Sequence, residues 1–157
     1  MTVLSEQANN KEFTSSTFTW PVRVYWEDTD AGGVVFYANY LKFMERARTE
    51  WLRALGIEQT PLKEQDGILM VVAHVDVSYR RPARYGEVLQ VVCSVTEVGK
   101  VSLTFEQRIY RDVAGGELLL DGKVKVGCID ATSFRPKALP KTIVESLVKS
   151  SVRSLST

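Results

Sequence analysis

Residues 37–55 read YANYLKFMERARTEWLRAL, and their spacing predicts one long α-helix. The large apolar side chains recur at helical intervals and share one face: Leu41, Met44, Trp51, Leu52 and Leu55. Phe43, Ala47 and Ala54 widen this apolar surface, so we expect the helix to be well buried. Gly56 is a residue type that commonly ends a helix.

Strand-like runs lie on both sides of this helix. One run precedes it, Phe18–Glu27, and its apolar residues take alternate positions: Val22, Val24 and Trp26. Four more runs follow the helix: Ile68–Tyr79, Glu87–Glu97, Val101–Arg111 and Leu118–Asp130. The last two connections are short enough for antiparallel hairpins. Residues 57–67 look irregular, and residues 141–149 predict a short terminal helix with Ile143 and Leu147 facing inward.

One long apolar helix beside one antiparallel sheet can bury a face of each when the sheet wraps the helix. This α+β arrangement is the hot-dog fold. We expect a flexible tail over residues 1–17, a single domain over residues 18–150 and a second tail over residues 151–157. The edge strand or outer face of the sheet needs a partner, so we expect a homodimer or homotetramer.

Composition excludes several classes of protein. The chain has 157 residues with a formal net charge of +1, which fits one globular domain and argues against nucleic acid or an anionic membrane as the main partner. Cys93 and Cys128 each lie in an apolar, strand-like run, which favours two buried thiols over a disulfide. The first residues lack the pattern of a secretory signal, and no apolar run has the length of a membrane span. We therefore expect a cytoplasmic protein.

The segment between the first strand and the helix carries the chemistry. It contains Asp28 and Asp30, then Gly32 and Gly33, and then the helix start. A helix start offers unpaired N–H groups that can hold a carbonyl oxygen, and glycines let a ligand approach the backbone. A carboxylate just before it can attack or activate water. The alternative is that both aspartates cap a turn and the helix.

Residues 25–53 resemble the signature of the Tol-Pal-associated acyl-CoA thioesterases, a branch of the 4-hydroxybenzoyl-CoA thioesterase-like hot-dog proteins. The similarity runs from about Trp20 to Val148 and is strongest in the acidic turn and the first helix. Residues 79–87 and 135–140 also match and give weaker support. The resemblance implies an enzyme that hydrolyses an acyl-coenzyme A to free acid and coenzyme A, without a cofactor.

The resemblance also implies roles for single residues. The second aspartate of the acidic turn is catalytic in the family, and that position is Asp30. The backbone N–H at the helix start binds the thioester oxygen, and the matching residue is Tyr37. This chain has Tyr37 where the branch commonly has His, and Trp26 where it commonly has Tyr. Gly32, Gly33, Val34 and Trp26 are the expected substrate contacts in this segment.

Basic residues in the connections are suited to the phosphates of coenzyme A. The candidates are Arg81, Arg84, Lys100 and Lys137, with Arg135 beside them. Each one alone is better explained as a solvated surface charge. As a group, one or two of them contacting the nucleotide is the expectation.

Other chemistries have little support in the sequence. His74 is the single histidine and lies in a strand, away from the helix start where hot-dog dehydratases carry theirs, so we expect it to be structural. One histidine and two separated cysteines provide no metal-ligand spacing. The remaining alternative is a non-catalytic acyl-CoA-binding or scaffolding module of an envelope-associated complex. The intact Asp30 favours hydrolysis.

Overall fold

The computed structural model describes residues 11–12 and 17–147. Six strands are present in this part of the chain: β1 Lys11–Glu12, β2 Phe18–Arg23, β3 Ile68–Tyr79, β4 Val88–Val98, β5 Ser102–Arg111 and β6 Glu117–Asp130. The helices are α1 Asn39–Ala54 and α2 Gln59–Asp66, with a 3-10 turn at Trp26–Asp28. Residues 141–147 are also helical. None of the helices in the described part of the chain is long and apolar enough to span a bilayer.

The strands form one antiparallel sheet. Its order is β1-β4-β5-β6-β3, and β2 pairs with β4 beside β1. The pairing β4–β5–β6 follows chain order, as expected for strands joined by tight turns. β3 pairs with β6 over its whole length and forms one edge of the sheet. The hot-dog fold predicted from the sequence is confirmed.

Helix α1 packs against the concave face of the sheet and forms the core with it. The buried face of α1 includes five residues: Tyr40, Phe43, Met44, Ala47 and Trp51. Side chains along a strand point alternately to the two faces of the sheet, so every second residue of β4 and β5 faces α1. The α1 residues pack against these buried side chains: Val91, Val95, Leu103, Phe105 and Ile109. Burial of each large side chain stabilises the fold by about 1.5–3 kcal/mol.

The helix differs in detail from the prediction. It begins at Asn39 and ends at Ala54, so Tyr37 lies in the turn before it. Leu41, predicted to be inward, is 37% exposed, whereas Arg48 is buried. Residues 57–67 were predicted to be irregular, and most of them form α2.

The first strand is shorter than predicted, because Asp28 draws the chain into the 3-10 turn after Arg23. Val22 and Val24 are buried as predicted, but Trp26 is 74% exposed. β1 falls within the segment predicted as the first tail. Ile143 and Leu147 are buried as predicted. The predicted last residues of the terminal helix, 148–149, and the second tail, 151–157, lie outside the described residues.

Candidate active site

The acidic segment folds as a narrow hairpin between the 3-10 turn and α1. The Asp30 N–H donates to the Val34 carbonyl at 2.9 Å, and the Phe36 N–H donates to the Asp28 carbonyl at 2.9 Å. The Gly33 N–H donates to the Asp30 carbonyl at 3.0 Å and closes the tip. Asp30 therefore lies at the tip of a backbone-paired turn, and the hairpin leads directly to the start of α1.

The two glycines of the tip are required by its geometry. Gly33 has φ +78°, a conformation that most L-residues adopt at an energetic cost. A Cβ on Gly32 would lie 3.1 Å from the Asp30 carboxylate oxygen Oδ1. The Gly32 N–H donates to that same oxygen at 2.8 Å. The glycines thus let the backbone close beneath the carboxylate and orient it.

Asp28 and Asp30 have different surroundings. Asp28 is 3% exposed, and its carboxylate accepts hydrogen bonds from the Tyr25 N–H at 2.8 Å and from the Asn39 side-chain amide at 3.0 Å. Asp30 is exposed, and its Oδ2 has no hydrogen-bond partner among the described residues. Asp28 therefore caps the 3-10 turn, and Asp30 caps the tip of the hairpin through Oδ1 and keeps Oδ2 available for chemistry.

The start of α1 presents unpaired donors. Within residues 17–147, no acceptor is found for the backbone N–H groups of Tyr37 and Ala38. The helix begins without a side-chain cap at Ala38. The Tyr79 hydroxyl donates to the Tyr37 carbonyl at 2.8 Å, which fixes the peptide that joins Tyr37 to the helix. Two N–H groups and the positive end of the helix are thus available to an oxygen with developing negative charge.

A cavity of about 270 Å³ adjoins this helix start. Its walls are mainly aromatic and apolar, and two arginines also line it. The lining residues are Val35, Tyr37, Tyr40, Tyr79, Arg80, Arg81 and Pro82. The buried Tyr40 hydroxyl accepts the Ala83 N–H at 3.0 Å. Burial raises the pKa of Tyr40, and the hydrogen bond from the Ala83 N–H offsets part of that rise. Burial is also the main cause that raises the pKa of Tyr79.

The predicted basic residues lie at two ends of the sheet. Arg84 pairs with Val34 through a backbone bridge, and Arg81 lines the cavity, so both lie near the acidic hairpin. Lys100 lies in the β4–β5 turn, where its carbonyl accepts the Leu139 N–H. Lys137 contacts the Asp130 carboxylate at 3.8 Å at this same far end. Within one chain, the lysines are therefore separated from Asp30 by roughly the length of a strand.

The remaining candidates lie elsewhere. Trp26 is on the surface beside the hairpin, with its ring edge-to-face against Tyr85 at 5.3 Å. His74 is exposed on edge strand β3, next to a bulge in its pairing with β6. No group of three or more potential metal ligands is found in the described part of the chain. Sequence reasoning missed Tyr40, Tyr79 and Asn39, although Tyr79 begins a stretch that matches the resembled family.

Comparison with known proteins agrees with the fold and identifies the family. The profile of the Thioesterase superfamily matches residues 32–116. The acyl-CoA thioester hydrolase YbgC of Escherichia coli is 45% identical over 130 residues, which cover 83% of this chain and 95% of that protein. The acyl-CoA thioesterase YbgC of Haemophilus influenzae is 44% identical over 126 residues, which cover 80% of this chain and 90% of that protein.

Solved structures place the fold in the same group. A 1,4-dihydroxy-2-naphthoyl-CoA thioesterase from Synechocystis matches with a TM-score of 0.79 at 22% identity, covering 85% of this chain and 96% of that chain. At this identity the match supports the fold alone. The sheet wrapped around α1 is thus the hot-dog fold. The chain belongs to the thioesterase superfamily and, within it, is similar to the YbgC acyl-CoA thioesterases, which confirms the resemblance.

Proposed function

We propose that this acyl-CoA thioesterase uses Asp30 as its catalytic carboxylate and the Tyr37 backbone N–H as a donor to the thioester oxygen. The observation that carries the proposal is one hairpin that joins an exposed carboxylate to a helix start with unpaired N–H groups. A carboxylate can attack the acyl carbon or activate water, and preorganised N–H donors stabilise the oxyanion that either route produces.

Both routes balance chemically. In the first, an Asp30 oxygen bonds to the thioester carbon, the C–S bond breaks, and the coenzyme A thiolate takes up a proton. Water then cleaves the resulting anhydride and restores Asp30. In the second, Asp30 accepts a proton from water as the water oxygen bonds to the acyl carbon. The C–S bond then breaks, and Asp30 returns the proton to the coenzyme A thiolate. Each route yields free acid and coenzyme A, and each places negative charge on the former carbonyl oxygen.

Substrate contacts follow from what surrounds the hairpin. Gly32, Gly33 and Val34 form its exposed backbone, and Trp26 lies on the surface beside it. The aromatic cavity at the helix start supplies apolar walls for the group next to the thioester. Arg81 and Arg84 lie near enough to this region to meet coenzyme A phosphates, for which guanidinium groups are well suited.

We further propose a homodimer that pairs two β3 strands. β3 is an edge strand of 12 residues, and an unpaired edge of this length is a template for another strand. On its helix-facing side, Val72 is 50% exposed, and Val75 and Tyr79 are also exposed. A second copy related by a twofold axis would cover this apolar strip with an identical one.

The same pairing accounts for the separated lysines. If two β3 strands pair antiparallel, the beginning of one lies beside the end of the other. The far end of one sheet, which carries Lys100 and Lys137, then approaches the Arg81 end of the second copy. The proposed coenzyme A contacts would in this way come from both chains.

The cytoplasm is the proposed location. Cys93 and Cys128 are both buried and free, as is usual for proteins of reducing compartments. The alternative of a non-catalytic binding module shares the fold and ligand, but relatives named as acyl-CoA hydrolases favour the enzyme.

The decisive experiment compares wild type, Asp30→Asn and Glu27→Gln on short, long and aromatic acyl-CoA thioesters, with detection of free thiol. Glu27 is a neighbouring exposed carboxylate and serves as the matched control. Asp30→Asn should abolish turnover while its melting temperature stays close to that of wild type, because Asp30 makes few contacts. Near-normal turnover in Asp30→Asn would remove Asp30 from the mechanism. A wild-type protein that binds but never cleaves these thioesters would favour the binding module.

A further inference from the structure

Arg48 is a buried cation without a carboxylate partner. It is 9% exposed, and it forms no salt bridge with any described residue. Its Nη1 donates to the Gln107 side-chain oxygen at 2.8 Å. The Gln107 amide nitrogen donates in turn to the Met44 carbonyl at 2.9 Å and the Cys93 sulfur at 3.0 Å. Gln107 is thereby held with its oxygen towards Arg48, but it offers no negative charge.

The remaining Arg48 donors face a cavity. Among residues 17–147, no fully enclosed side-chain nitrogen or oxygen lacks a partner, so the Arg48 nitrogens that donate to no protein atom are accessible to solvent, and Arg48 lines a cavity. This cavity has a volume of about 100 Å³. Apolar side chains of α1 and three strands make up most of its wall: Leu52, Met70, Val72, Phe105 and Val126.

The cavity is distinct from the candidate active site. Arg48 lies nine residues after the first residue of α1, which places it about 14 Å further along the helix axis. The aromatic cavity at the helix start shares none of its lining residues. Glu45, Thr49 and Gln59 line both the Arg48 cavity and an outer groove between α1 and α2, so the cavity opens through that groove.

The charges around the opening are few. Burial lowers the pKa of Arg48, yet an arginine side chain stays protonated in proteins. Glu45 is exposed at the opening, and its negative charge raises the pKa of Arg48 and offsets part of the effect of burial. The Glu45 carboxylate accepts the Thr49 hydroxyl at 2.8 Å and forms no salt bridge with Arg48. An unpaired buried charge is costly, and a bound anion would offset that cost.

We propose that this cavity is a binding site for a short aliphatic carboxylate, with the carboxylate on the free donors of Arg48 and the carbons against the apolar wall. A planar guanidinium matches a carboxylate in geometry as well as charge. Two sources share this chemistry: a free short-chain acid, and the distal carboxylate of an acyl group that also carries the thioester. The second source rests on the proposed thioesterase function, and the first does not.

The first measurement uses butanoate and the uncharged isostere butanamide on the full chain. Butanoate should raise the melting temperature and shift the Gln107 side-chain amide resonances, and butanamide should do neither. Arg48→Met should weaken butanoate binding roughly 10- to 100-fold, the loss of a charged hydrogen-bond partner. Arg46→Met, an exposed arginine on the same helix, should leave it unchanged. Arg48→Lys keeps a cation and should retain part of the binding if Arg48→Met fails to fold.

The second measurement compares hydrolysis of dodecanedioyl-CoA with dodecanoyl-CoA, which differ by the distal carboxylate and whose extended chain spans the roughly 14 Å between the helix start and Arg48. A fall of about tenfold in the dodecanedioyl-to-dodecanoyl ratio of kcat/KM in Arg48→Met, but not in Arg46→Met, assigns the carboxylate to the substrate. An unchanged ratio together with Arg48-dependent butanoate binding assigns the site to a free acid. Equal responses to butanoate and butanamide, with an unchanged ratio, would overturn the proposal. Butanoate binding in a chain that cleaves no thioester would leave it standing and overturn the proposed function instead.

Discussion

The Asn39 side-chain amide donates to the buried Asp28 carboxylate at 3.0 Å, and the other oxygen of Asp28 accepts the Tyr25 N–H at 2.8 Å. One carboxylate thus joins the first residue of α1 to the 3-10 turn that precedes the hairpin. The Phe36 N–H, which donates to the Asp28 carbonyl, closes the same connection on the other side. Asp28 therefore holds the hairpin of Asp30 against the helix start.

Asp28→Asn should lower stability more than Asp30→Asn does. The amide can accept one of the two hydrogen bonds but presents its NH2 group to the other donor, so one buried donor loses its partner. We expect a loss of about 1–3 kcal/mol in the free energy of unfolding. Denaturant titrations of both variants would measure it. Equal stability of the two would show that Asp28 has no anchoring role.

Tyr37 tests whether the backbone or the phenol acts on the thioester. Tyr37→Phe should keep most of kcat, because the backbone donor remains. Tyr37→Pro removes the N–H and should lower kcat on the order of 100- to 1,000-fold. Ala38→Pro is the matched variant: Ala38 has φ −73°, which suits proline, and it removes the neighbouring N–H.

Steady-state kinetics and melting curves of these three variants would identify the donor. A large loss in Ala38→Pro with little loss in Tyr37→Pro would move the oxyanion role to Ala38. An inactive Tyr37→Phe beside an active Tyr37→Pro would exclude the backbone altogether.

Tyr79 positions the peptide that follows the proposed donor. Tyr79→Phe deletes the hydrogen bond to the Tyr37 carbonyl but keeps the ring, which lies edge-on to Tyr40 at 5.5 Å. A hydrogen bond of this kind contributes about 0.5–1.5 kcal/mol, so kcat should fall roughly 2- to 10-fold with KM nearly constant. A change in KM alone would instead assign Tyr79 to substrate binding.

The exposed strip of β3 provides a test of the dimer. Val75→Glu places a charge in the proposed contact between two copies, where an unpaired charge is costly. Light scattering should detect a monomer, and its specific activity should fall because the site would lose the second chain. Thr19→Glu, at an exposed position of β2 on the opposite side of the sheet, is the control. A wild-type protein that is a fully active monomer would refute the dimer.

Cys93 makes stability depend on pH in the alkaline range. Burial raises the pKa of the Cys93 thiol to about 12, whereas a thiol in the unfolded chain titrates near about 8.5. Between these values the unfolded state loses a proton that the folded state keeps, so stability falls as pH rises, by up to about 1.4 kcal/mol per pH unit. Cys93→Ser, which does not titrate there, should show a shallower decline in denaturant titrations at increasing pH. Identical slopes would contradict this.

Most of the fold could be predicted because its elements have strong periodicity. The bounds of β3, Ile68–Tyr79, were predicted exactly as the structure has them, since turn-forming residues flank a long β-branched run. The helix and its burial against the sheet could be predicted because apolar residues cover a broad face of it. α2 could not be predicted, because its eight residues contain Pro61 and only Leu62 is buried.

The errors within the helix have a physical cause. Hydrophobicity placed Leu41 inside and gave no reason to expect a buried arginine, but Arg48 shares the inward spacing of Met44 and Trp51. The compensating partner, Gln107, is 59 residues away in sequence, so no local pattern announces it. The prediction that Trp26 continues the buried face of the first strand was also wrong. The buried Asp28 holds the chain in a 3-10 turn that begins at Trp26, so the strand ends before this residue.

The hydrogen bond from Tyr79 to the Tyr37 carbonyl means that the reactive motif is not a contiguous peptide. Transplanting residues 25–40 into another scaffold would transfer the carboxylate, the glycines and the helix start. The Tyr37 carbonyl would then lack the hydrogen bond from the Tyr79 hydroxyl that fixes this peptide. A designer who wishes to move this chemistry must also move the end of β3 and fix its distance from the hairpin. The smallest unit that could carry the proposed chemistry to another protein is therefore a helix start together with an edge strand.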